Sequence, residues 1–380
     1  MDYQHCLTRP YFNNIELEYV KKCLDSGWVT QGPMTKRFEQ LFTEKHGGNY
    51  ATAVCNCTAG LHMAMMALGI GKEDEVIAPA YTWVTSANCV EYTGAKAVLA
   101  DVDSSKFNID PEAIRRAISP KTKAIVVVHE FGCAAEMDKI LDIAKEHNLF
   151  LIEDCACAIG TKYNGQPVGT FGDIGVFSFH PRKVITTGEG GMCITNNVEI
   201  AEILDQLRNH GMSIDENDQT YGAPFYMGHF NILGYNFRLS DIQAAVGVAQ
   251  MEKLEELIEE RRKCARNYIE LLKDCNHIIL PETGNKYGPT FQSFVILLRP
   301  GMEKARNRAM LKLQKKGIQT KQGTHAVHRL KYYKEKYRFQ DNDYPVSSYC
   351  EDCSITLPIY PGMKLEVQEE IVSNLLESLK

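Results

Sequence analysis

The chain has 380 residues, of which 44% are hydrophobic and 24% charged, and its formal net charge at pH 7 is −6. These values are typical of a soluble globular protein, and the length suffices for two domains. Because acidic and basic residues are mixed along a chain that is slightly acidic overall, the charge argues against a general binder of nucleic acid or of an anionic membrane.

The first ten residues contain no apolar core of the kind found in a secretory signal, and no apolar run is long enough to span a bilayer. With thirteen cysteines and no export signal, we expect a cytoplasmic protein with reduced thiols. Cys350 and Cys353 have a spacing found in zinc sites, but no second Cys/His pair matches it. We therefore expect no metal site.

Apolar runs and helical periodicity alternate through the first 250 residues. Helices are predicted at 13–25 and 34–46, joined by a loop at 27–33 that is either a simple turn or the wall of a ligand site. Strands are predicted at 51–55, 75–79, 97–100, 124–128, 150–153, 175–179 and 192–195. Because helical segments separate most of these strands, the pattern predicts an α/β fold with a large, mainly parallel sheet sandwiched by helices.

The texture of the sequence changes after residue 252. A long amphipathic helix at 253–272 has the character of a bridge between domains, and short strands at 292–298 and 318–320 flank a helix at 303–316. We therefore assign residues 1–252 to a large α/β domain and residues 253–380 to a smaller C-terminal α+β domain. Before the bridge, residues 211–234 lack periodicity and form a long loop, a feature that is usually functional or mobile.

A single lysine stands in a turn between two predicted strands. Lys183 follows Pro181, and a Gly-Glu-Gly-Gly turn at 188–191 leads into the next strand. Ligands of α/β sheets usually bind at strand ends. For Lys183 considered alone, a surface lysine in a hairpin is the simpler reading.

Other chemically useful residues also follow strands. Asp154 closes the strand at 150–153, and since the ends of parallel strands converge, Asp154 and Lys183 can face one pocket. Residues 56–60 form a turn of small polar residues that opens a helix, which suits a phosphate, although an ordinary N-cap gives the same pattern. Trp83 offers either a packing surface or a flat face for a planar cofactor.

Pyridoxal 5′-phosphate (PLP) requires this combination of groups. Its aldehyde forms a Schiff base with a lysine, and its ring nitrogen requires an acidic partner. Its phosphate requires N–H and hydroxyl donors, and its ring requires a stacking partner. The four features together therefore predict a PLP site.

At this point the sequence resembles the DegT/DnrJ/EryC1/StrS sugar aminotransferases, a family of fold-type I PLP enzymes. The resemblance covers nearly the whole chain, and its motifs stand at 56–59, 79–83, 129–132, 153–158, 178–191, 209–212 and 234–241. The Thr-Thr-Gly-Glu-Gly-Gly run at 186–191 is similar to members that act at C4 of a sugar, such as the perosamine synthases.

The resemblance implies the roles of the residues around the cofactor ring. Lys183 would form the Schiff base, Asp154 would pair with the ring nitrogen, and Trp83 would stack on the ring. Cys157 occupies a position that is commonly glutamine, whose side chain hydrogen-bonds the ring hydroxyl. Because a thiol is a weaker donor, that contact is a departure from the family pattern.

The resemblance also implies a phosphate site and an assembly. Thr58, Ala59 and Ser178 would hold the phosphate, and Asn236 would reach in from a second subunit. The implied unit is therefore a homodimer with shared active sites.

The activity that the resemblance implies is transfer of an amino group from glutamate to a nucleotide-linked 4-keto-6-deoxysugar, with PLP cycling through pyridoxamine 5′-phosphate. Some members carry histidine in place of the lysine and act as dehydratases, so Lys183 favours transamination. The alternatives are an aminotransferase for a 3-keto sugar or a keto-inositol, and a regulatory protein that binds PLP without turnover.

Candidate substrate contacts are chosen by neighbourhood alone. They are Thr30 in the loop at 27–33, Glu189 beside the lysine turn, Arg238, His325 and His328. For each histidine a surface or packing role is the alternative, and Arg238 can equally pair with an acid.

Overall fold

The computed structural model describes residues 3–214 and 221–379. Within these residues the main sheet has seven strands, which are β1 (Tyr50–Val54), β2 (Glu75–Pro79), β3 (Lys96–Ala100), β4 (Thr122–Val128), β5 (Phe150–Asp154), β6 (Ile174–Ser178) and β7 (Gly191–Thr195). Their order is β1-β7-β6-β5-β4-β2-β3. The strands from β3 to β6 pair in parallel, and β7 is antiparallel to both β6 and β1. The predicted mainly parallel sheet is therefore confirmed, and six strands end at one edge.

Helices connect and cover these strands. They are α1 (Asn14–Ser26), α2 (Pro33–His46), α3 (Cys57–Ala67), α4 (Thr85–Tyr92), α5 (Pro111–Ala117), α6 (Met137–Glu146), α7 (Val198–Arg208), α8 (Asp241–Glu252), α9 (Leu254–Leu272), α10 (Glu303–Lys315), α11 (Lys331–Tyr337), α12 (Pro345–Cys353) and α13 (Leu365–Leu379). Polar side chains begin several of them, including Asn56 at α3 and Ser240 at α8, because they accept backbone N–H groups that have no partner within the helix.

The main sheet is buried on both faces. In β4, Ile125 and Val127 belong to the hydrophobic cluster that includes residues of α2, α6 and α8, whereas Val126 and Val128 belong to the cluster that includes residues of α3, α4 and α7. Successive side chains of a strand point to opposite faces, so a continuous apolar run fits a strand covered on both sides. This arrangement confirms the predicted sandwich of sheet and helices.

The C-terminal part contains a small antiparallel sheet of strands β8 (Ile278–Ile279), β9 (Phe294–Leu298) and β10 (Ser354–Leu357), in that order. The strand predicted at 318–320 is wrong, because Ile318 forms only an isolated bridge with His5 and no ladder extends from it. Helix α12 was not predicted.

Helix α9 joins two cores. Leu257 and Ile258 near its start pack in the cluster against the main sheet, and Ala265 and Tyr268 pack in the cluster around the small sheet. This position agrees with the predicted bridge, while the division at residues 252 and 253 stays a prediction.

Three pairs of two-residue strands are also present: Tyr81–Thr82 with His325–Ala326, Lys162–Tyr163 with Gln166–Pro167, and Met212–Ser213 with His229–Phe230. Three short 3₁₀ helices, Glu130–Gly132, Asn285–Tyr287 and Val327–Arg329, complete the described elements. The last pair of strands lies in the predicted long loop at 211–234, of which residues 215–220 lie outside the described residues. In the part of the chain that the structure covers, no helix has both the length and the apolar character needed to cross a bilayer. All thirteen cysteines are free thiols.

Candidate active site

A cavity of about 400 Å³ opens at the edge where the parallel strands end. Its volume falls in the range of small-molecule sites. Seven of the residues singled out in the sequence line it, namely Thr58, Trp83, Asp154, Cys157, Ser178, Lys183 and Glu189. The topology thus brings together residues from the ends of β5 and β6, the start of α3 and the turn before β7.

Lys183 lies in the turn after β6, where its backbone N–H donates to the carbonyl of His180 at 2.8 Å. Its Nζ donates to Sγ of Cys157 at 3.2 Å. Burial lowers the pKa of Lys183, but the sulfur atoms of Cys157 and Cys57 and the Asp154 carboxylate together outweigh burial and raise it. Burial, in turn, raises the pKa of the Cys157 thiol against the opposing charge of Lys183.

Asp154 is the last residue of β5 and is 4% exposed. Its Oδ2 accepts a hydrogen bond from Oγ of Ser86 at 2.7 Å, and its Oδ1 accepts one from the backbone N–H of Ala156 at 3.1 Å. Burial raises the pKa of Asp154, and these hydrogen bonds and Lys183 oppose the rise. A buried carboxylate with so few donors can accept a further cationic partner from the cavity.

The preceding carboxylate, Glu153, has a different environment. It is fully buried and accepts hydrogen bonds from Nε2 of His129 at 2.9 Å and from the backbone N–H groups of Gly169, Phe171 and Gly172 at 2.7–2.8 Å. Burial raises the pKa of Glu153, but His129 and the N–H donors outweigh it and lower the pKa. Glu153 therefore holds the strand ends and does not line the cavity.

The start of α3 has the features of an anion site. Oδ1 of Asn56 accepts the N–H of Ala59 at 2.9 Å, so the N–H of Ala59 is already used and Ala59 does not line the cavity. Thr58 and Ser178 do line it. Gly191 lets β7 approach this turn, because a Cβ at that position would lie 2.7 Å from the carbonyl carbon of Asn56.

Trp83 is 53% exposed at the cavity wall. The pairing of Tyr81–Thr82 with His325–Ala326 brings the C-terminal part of the chain to it. The His325 ring centroid lies 5.7 Å from that of Trp83, and Nζ of Lys321 lies 5.2 Å from the Trp83 ring. His325 itself does not line the cavity. His328 is buried, and its Nε2 forms a hydrogen bond with Oγ of Ser348 at 3.1 Å.

Three other predicted residues lie away from this cavity. The carbonyl of Thr30 accepts the N–H of Asp241 at 3.2 Å, and Nη1 of Arg238 donates to Oδ1 of Asn209 at 2.6 Å. Asn236 is exposed and forms a backbone bridge with Asn209. None of the three lines the cavity of this chain.

Sequence reasoning gave no role to three charged residues on the cavity wall: Glu130, Arg182 and Lys321. Burial, reinforced by Asp154, raises the pKa of Glu130 to about 8. Burial, reinforced by Arg182 and Lys183, lowers the pKa of Lys321. Glu130 and Arg182 were detectable, since one follows the apolar run of β4 and the other precedes Lys183. Lys321 gave no local signal.

Comparison with known families agrees with this geometry. The model described as "DegT/DnrJ/EryC1/StrS aminotransferase family" matches residues 10–376. The chain belongs to this aminotransferase family. Its cofactor is PLP, which confirms the prediction from the sequence.

The aminotransferase is similar to proteins of several organisms. It is 37% identical over 358 residues to the uncharacterized protein MJ1066 of Methanocaldococcus jannaschii, covering 93% of this chain and 92% of that protein. It superposes on PseC of Helicobacter pylori, an aminotransferase of pseudoaminic acid biosynthesis, with a TM-score of 0.91 and 26% identity over 99% of both chains. The PLP-form of Spr1654 from Streptococcus pneumoniae has a TM-score of 0.92 at 24% identity over 99% of both chains and shows the shared fold.

The residues of this aminotransferase fit the cofactor. The cavity holds a lysine amine beside the strand ends for the aldehyde, Lys183, and a buried carboxylate with capacity for a cationic nitrogen, Asp154. The hydroxyls of Thr58 and Ser178 beside a helix start suit the phosphate. Each group that PLP requires therefore has a counterpart in this cavity.

Proposed function

We propose that this aminotransferase moves an amino group from glutamate to a nucleotide-linked 4-keto-6-deoxysugar and produces a 4-amino sugar. The observation that carries the proposal is the position of Lys183 and Asp154 on one cavity whose wall also holds cations that have no acidic partner among the described residues. The similarity to PseC, an aminotransferase of pseudoaminic acid biosynthesis, supports a sugar as the amino acceptor.

Lys183 and Asp154, which lie beside the strand ends and which we call the floor of the cavity, have separate roles. When bound, PLP supplies an aldehyde and a ring that accepts electrons. Asp154 keeps a proton on the ring nitrogen, since a buried carboxylate stabilises a cation beside it. Lys183, as a free amine, would take the proton from the carbon that bears the substrate nitrogen and would return it later in the reaction. We assign Thr58 and Ser178 to the phosphate and Trp83 to the ring face.

The cations of the wall suit the two substrates. Within the described residues, the side chains of Arg182 and Lys321 form no ion pair, and Nζ of Lys321 rests on the ring of Trp83. Glutamate carries carboxylates and a nucleotide sugar carries phosphates, so both can use the same cations in turn. We therefore add Arg182 and Lys321 to the proposed substrate contacts, beside Glu189.

We further propose a homodimer with shared active sites. Large apolar side chains are exposed in the segment before Asn236, among them Phe225, Met227, Phe230 and Leu233, the last 85% exposed. A second copy of the chain would remove them from water. In that assembly Asn236 would reach the cavity of the partner, and Thr30 and Arg238 would lie near the same interface.

Replacement of Lys183 tests the proposed chemistry. We expect Lys183→Ala to lose both the visible absorbance of enzyme-bound PLP and the transfer of nitrogen from glutamate. Lys139→Ala, at an exposed lysine of α6, is the matched control and should keep both. Turnover by Lys183→Ala would contradict the proposal.

A panel of substrates tests the acceptor. Nucleotide-linked 4-keto-6-deoxysugars, 3-keto sugars and a keto-inositol should each be incubated with enzyme and glutamate, and amino products identified by mass spectrometry. We expect product from a 4-keto sugar. Product from only a 3-keto sugar or only the keto-inositol would show that this compound, and not a 4-keto sugar, is the amino acceptor. No product with any acceptor would favour a regulatory PLP-binding protein.

A further inference from the structure

Glu130 has no role in the chemistry described above, although it lines the cavity. It lies two residues after the end of β4, is 5% exposed, and lines the same cavity as Lys183, Asp154 and Cys157. Acidic side chains are rarely this buried without a partner. Its position therefore requires an explanation.

The backbone holds the Glu130 side chain in place. Its N–H donates to Oδ1 of Asn108 at 2.8 Å, and the next two residues, Phe131 and Gly132, have φ angles of 56° and 90°. A non-glycine residue in the left-handed region is uncommon, and such strain often accompanies a functional site. The turn after β4 thus fixes where the carboxyl group lies.

Only one oxygen of Glu130 is used within the described residues. Oε2 accepts a hydrogen bond from Oγ1 of Thr82 at 3.2 Å, and Oε1 takes part in no hydrogen bond with any described residue. Because the Thr82 hydroxyl donates to Oε2, a proton on the carboxyl group belongs on Oε1. A neutral Glu130 therefore has one free O–H donor.

The charges around Glu130 favour the protonated form. Burial and the Asp154 carboxylate raise its pKa to about 8, against the opposing effects of Lys183 and Thr82. Two further titratable neighbours, Cys157 and Tyr81, have pKa values that burial raises and that Glu130 raises further. Both are therefore neutral at neutral pH and add no charge beside Glu130. At neutral pH the carboxyl group is therefore mainly a carboxylic acid.

The arrangement of groups on the PLP ring indicates which cofactor atom would accept a hydrogen bond from Glu130. The ring carbon that bears the hydroxyl is adjacent to the carbon that bears the aldehyde, whereas the ring nitrogen lies farther around the ring. A group near Lys183 and distinct from the partner of the nitrogen is therefore placed for the ring oxygen. Cys157, at 3.2 Å from Nζ of Lys183, is the other candidate, and its thiol is a weak donor.

We propose that Glu130, as a neutral carboxylic acid, donates a hydrogen bond from its free oxygen to the ring oxygen of PLP. No proton is transferred, and the carboxyl group keeps its proton through the reaction. This inference rests on the proposed function, since it deepens the description of the same site. A donor at the ring oxygen stabilises its negative charge and weakens its hold on the proton of the nitrogen that joins Lys183 to the cofactor.

A spectroscopic titration tests this contact without measuring turnover. The visible absorbance of PLP-loaded enzyme should be followed from acid to alkaline pH in the wild type, Glu130→Leu, Glu130→Gln and Cys157→Ala. We expect Glu130→Leu to raise the pKa of the cofactor-bound nitrogen by about one pH unit. Glu130→Gln, which keeps an N–H donor, should stay near the wild type, and Cys157→Ala should change less than Glu130→Leu.

Two results would overturn the assignment. An unchanged pKa in Glu130→Leu would place the carboxyl group away from the ring oxygen. Equal shifts in Glu130→Leu and Glu130→Gln would mean that hydrogen-bond donation is not the cause.

In the variant Glu130→Leu/Cys157→Gln, a glutamine donor from the neighbouring position should bring the pKa back toward the wild type.

A cofactor analogue separates this contact from general damage to the site. Apoenzyme should be titrated with PLP and with 3-deoxypyridoxal 5′-phosphate, which lacks the ring oxygen. We expect Glu130→Leu to weaken the binding of PLP about tenfold and to leave the affinity for the analogue unchanged. Equal weakening of both ligands would contradict the inference.

A measurement on the wild type covers the case in which Glu130→Leu does not fold. The infrared carbonyl stretch of a buried carboxylic acid, assigned to Glu130 by its loss in Glu130→Gln, should shift when PLP is replaced by the 3-deoxy analogue. An unshifted band would refute the contact. Failure of the proposed function is distinguishable, because wild-type enzyme would then bind PLP but produce no amino sugar, while the spectroscopic comparisons would still decide the role of Glu130.

Discussion

The two carboxylates that end β5 lie side by side in the chain and in opposite environments. Glu153 accepts four hydrogen bonds, and these donors lower its pKa in spite of complete burial. Asp154 accepts two, and burial raises its pKa. Since successive residues of a strand point to opposite faces, one carboxylate is saturated by the protein and the other is left for a ligand.

The difference separates a structural charge from a functional one. A carboxylate with a complete set of donors contributes to the fold and has no capacity for further partners. A carboxylate that is buried with too few donors destabilises the empty protein and gains a partner when a cation enters. The pair therefore predicts that neighbouring substitutions affect different properties.

The largest effect is expected from Asp154→Asn on turnover. The amide cannot hold a proton on the ring nitrogen of PLP, and loss of one member of a buried ion pair costs about 3–5 kcal/mol, which is about 10²- to 10⁴-fold in rate. Steady-state kinetics with glutamate measures this. Turnover within tenfold of the wild type would remove Asp154 from the proposed role.

Glu153→Gln should act on stability. The amide N–H₂ faces donors from His129, Gly169, Phe171 and Gly172, so hydrogen bonds to a charged acceptor are lost, and we expect a loss of about 3 kcal/mol in the free energy of unfolding. Urea unfolding of the apoenzyme checks this, with Asp154→Asn as the matched control. Equal stability of the two variants would contradict the distinction between the carboxylates.

The same pair predicts opposite pH dependence in the apoenzyme. The raised pKa of Asp154 means that the folded state binds its proton more tightly, so its contribution to stability falls as pH rises from about 3.9 through the folded value. The lowered pKa of Glu153 means that its contribution is present above about 4.3 and is lost as pH falls through the folded value.

Differences between variants and the wild type isolate these contributions. As pH rises from 4 to 7, Asp154→Asn should gain stability relative to the wild type, by about 1 kcal/mol for each unit of pKa difference. As pH rises from about 2 to about 4.3, Glu153→Gln should lose stability relative to the wild type, because the contribution of Glu153 appears in that window. Urea midpoints at several pH values provide the measurement, and parallel pH curves for the three proteins would refute the prediction.

The sequence predicted the floor of the cavity better than its wall. Asp154 and Lys183 each lie at or just after a strand end, and the ends of parallel strands share one edge, so their approach followed from local patterns. The contrast between Glu153 and Asp154 did not follow, because the donors to Glu153 come from His129 and from the turn at 169–172. Lys321 reaches the cavity through the pairing of His325–Ala326 with Tyr81–Thr82, a long-range contact with no periodic signal.

The smallest effect on kinetics is expected from substitution of Lys321 on the cavity wall. This prediction compares two lysines of the cavity. Lys183 lies on the floor beside Asp154, whereas Lys321 lies on the ring of Trp83 and has no acidic partner within the described residues. We expect Lys321→Gln to raise KM for glutamate and for the nucleotide sugar about fivefold, the value of about 1 kcal/mol for a solvent-accessible ion pair, with kcat little changed.

The dependence of this effect on salt identifies its cause. If Lys321 attracts anionic substrates, the difference in KM between wild type and Lys321→Gln should narrow as salt screens the charge. Lys331→Gln, at an exposed lysine of α11 whose side chain is 86% exposed, should leave KM unchanged at every salt concentration. A lower kcat at unchanged KM would instead place Lys321 in the chemical step. The cavity wall would then take part in catalysis together with Lys183 and Asp154.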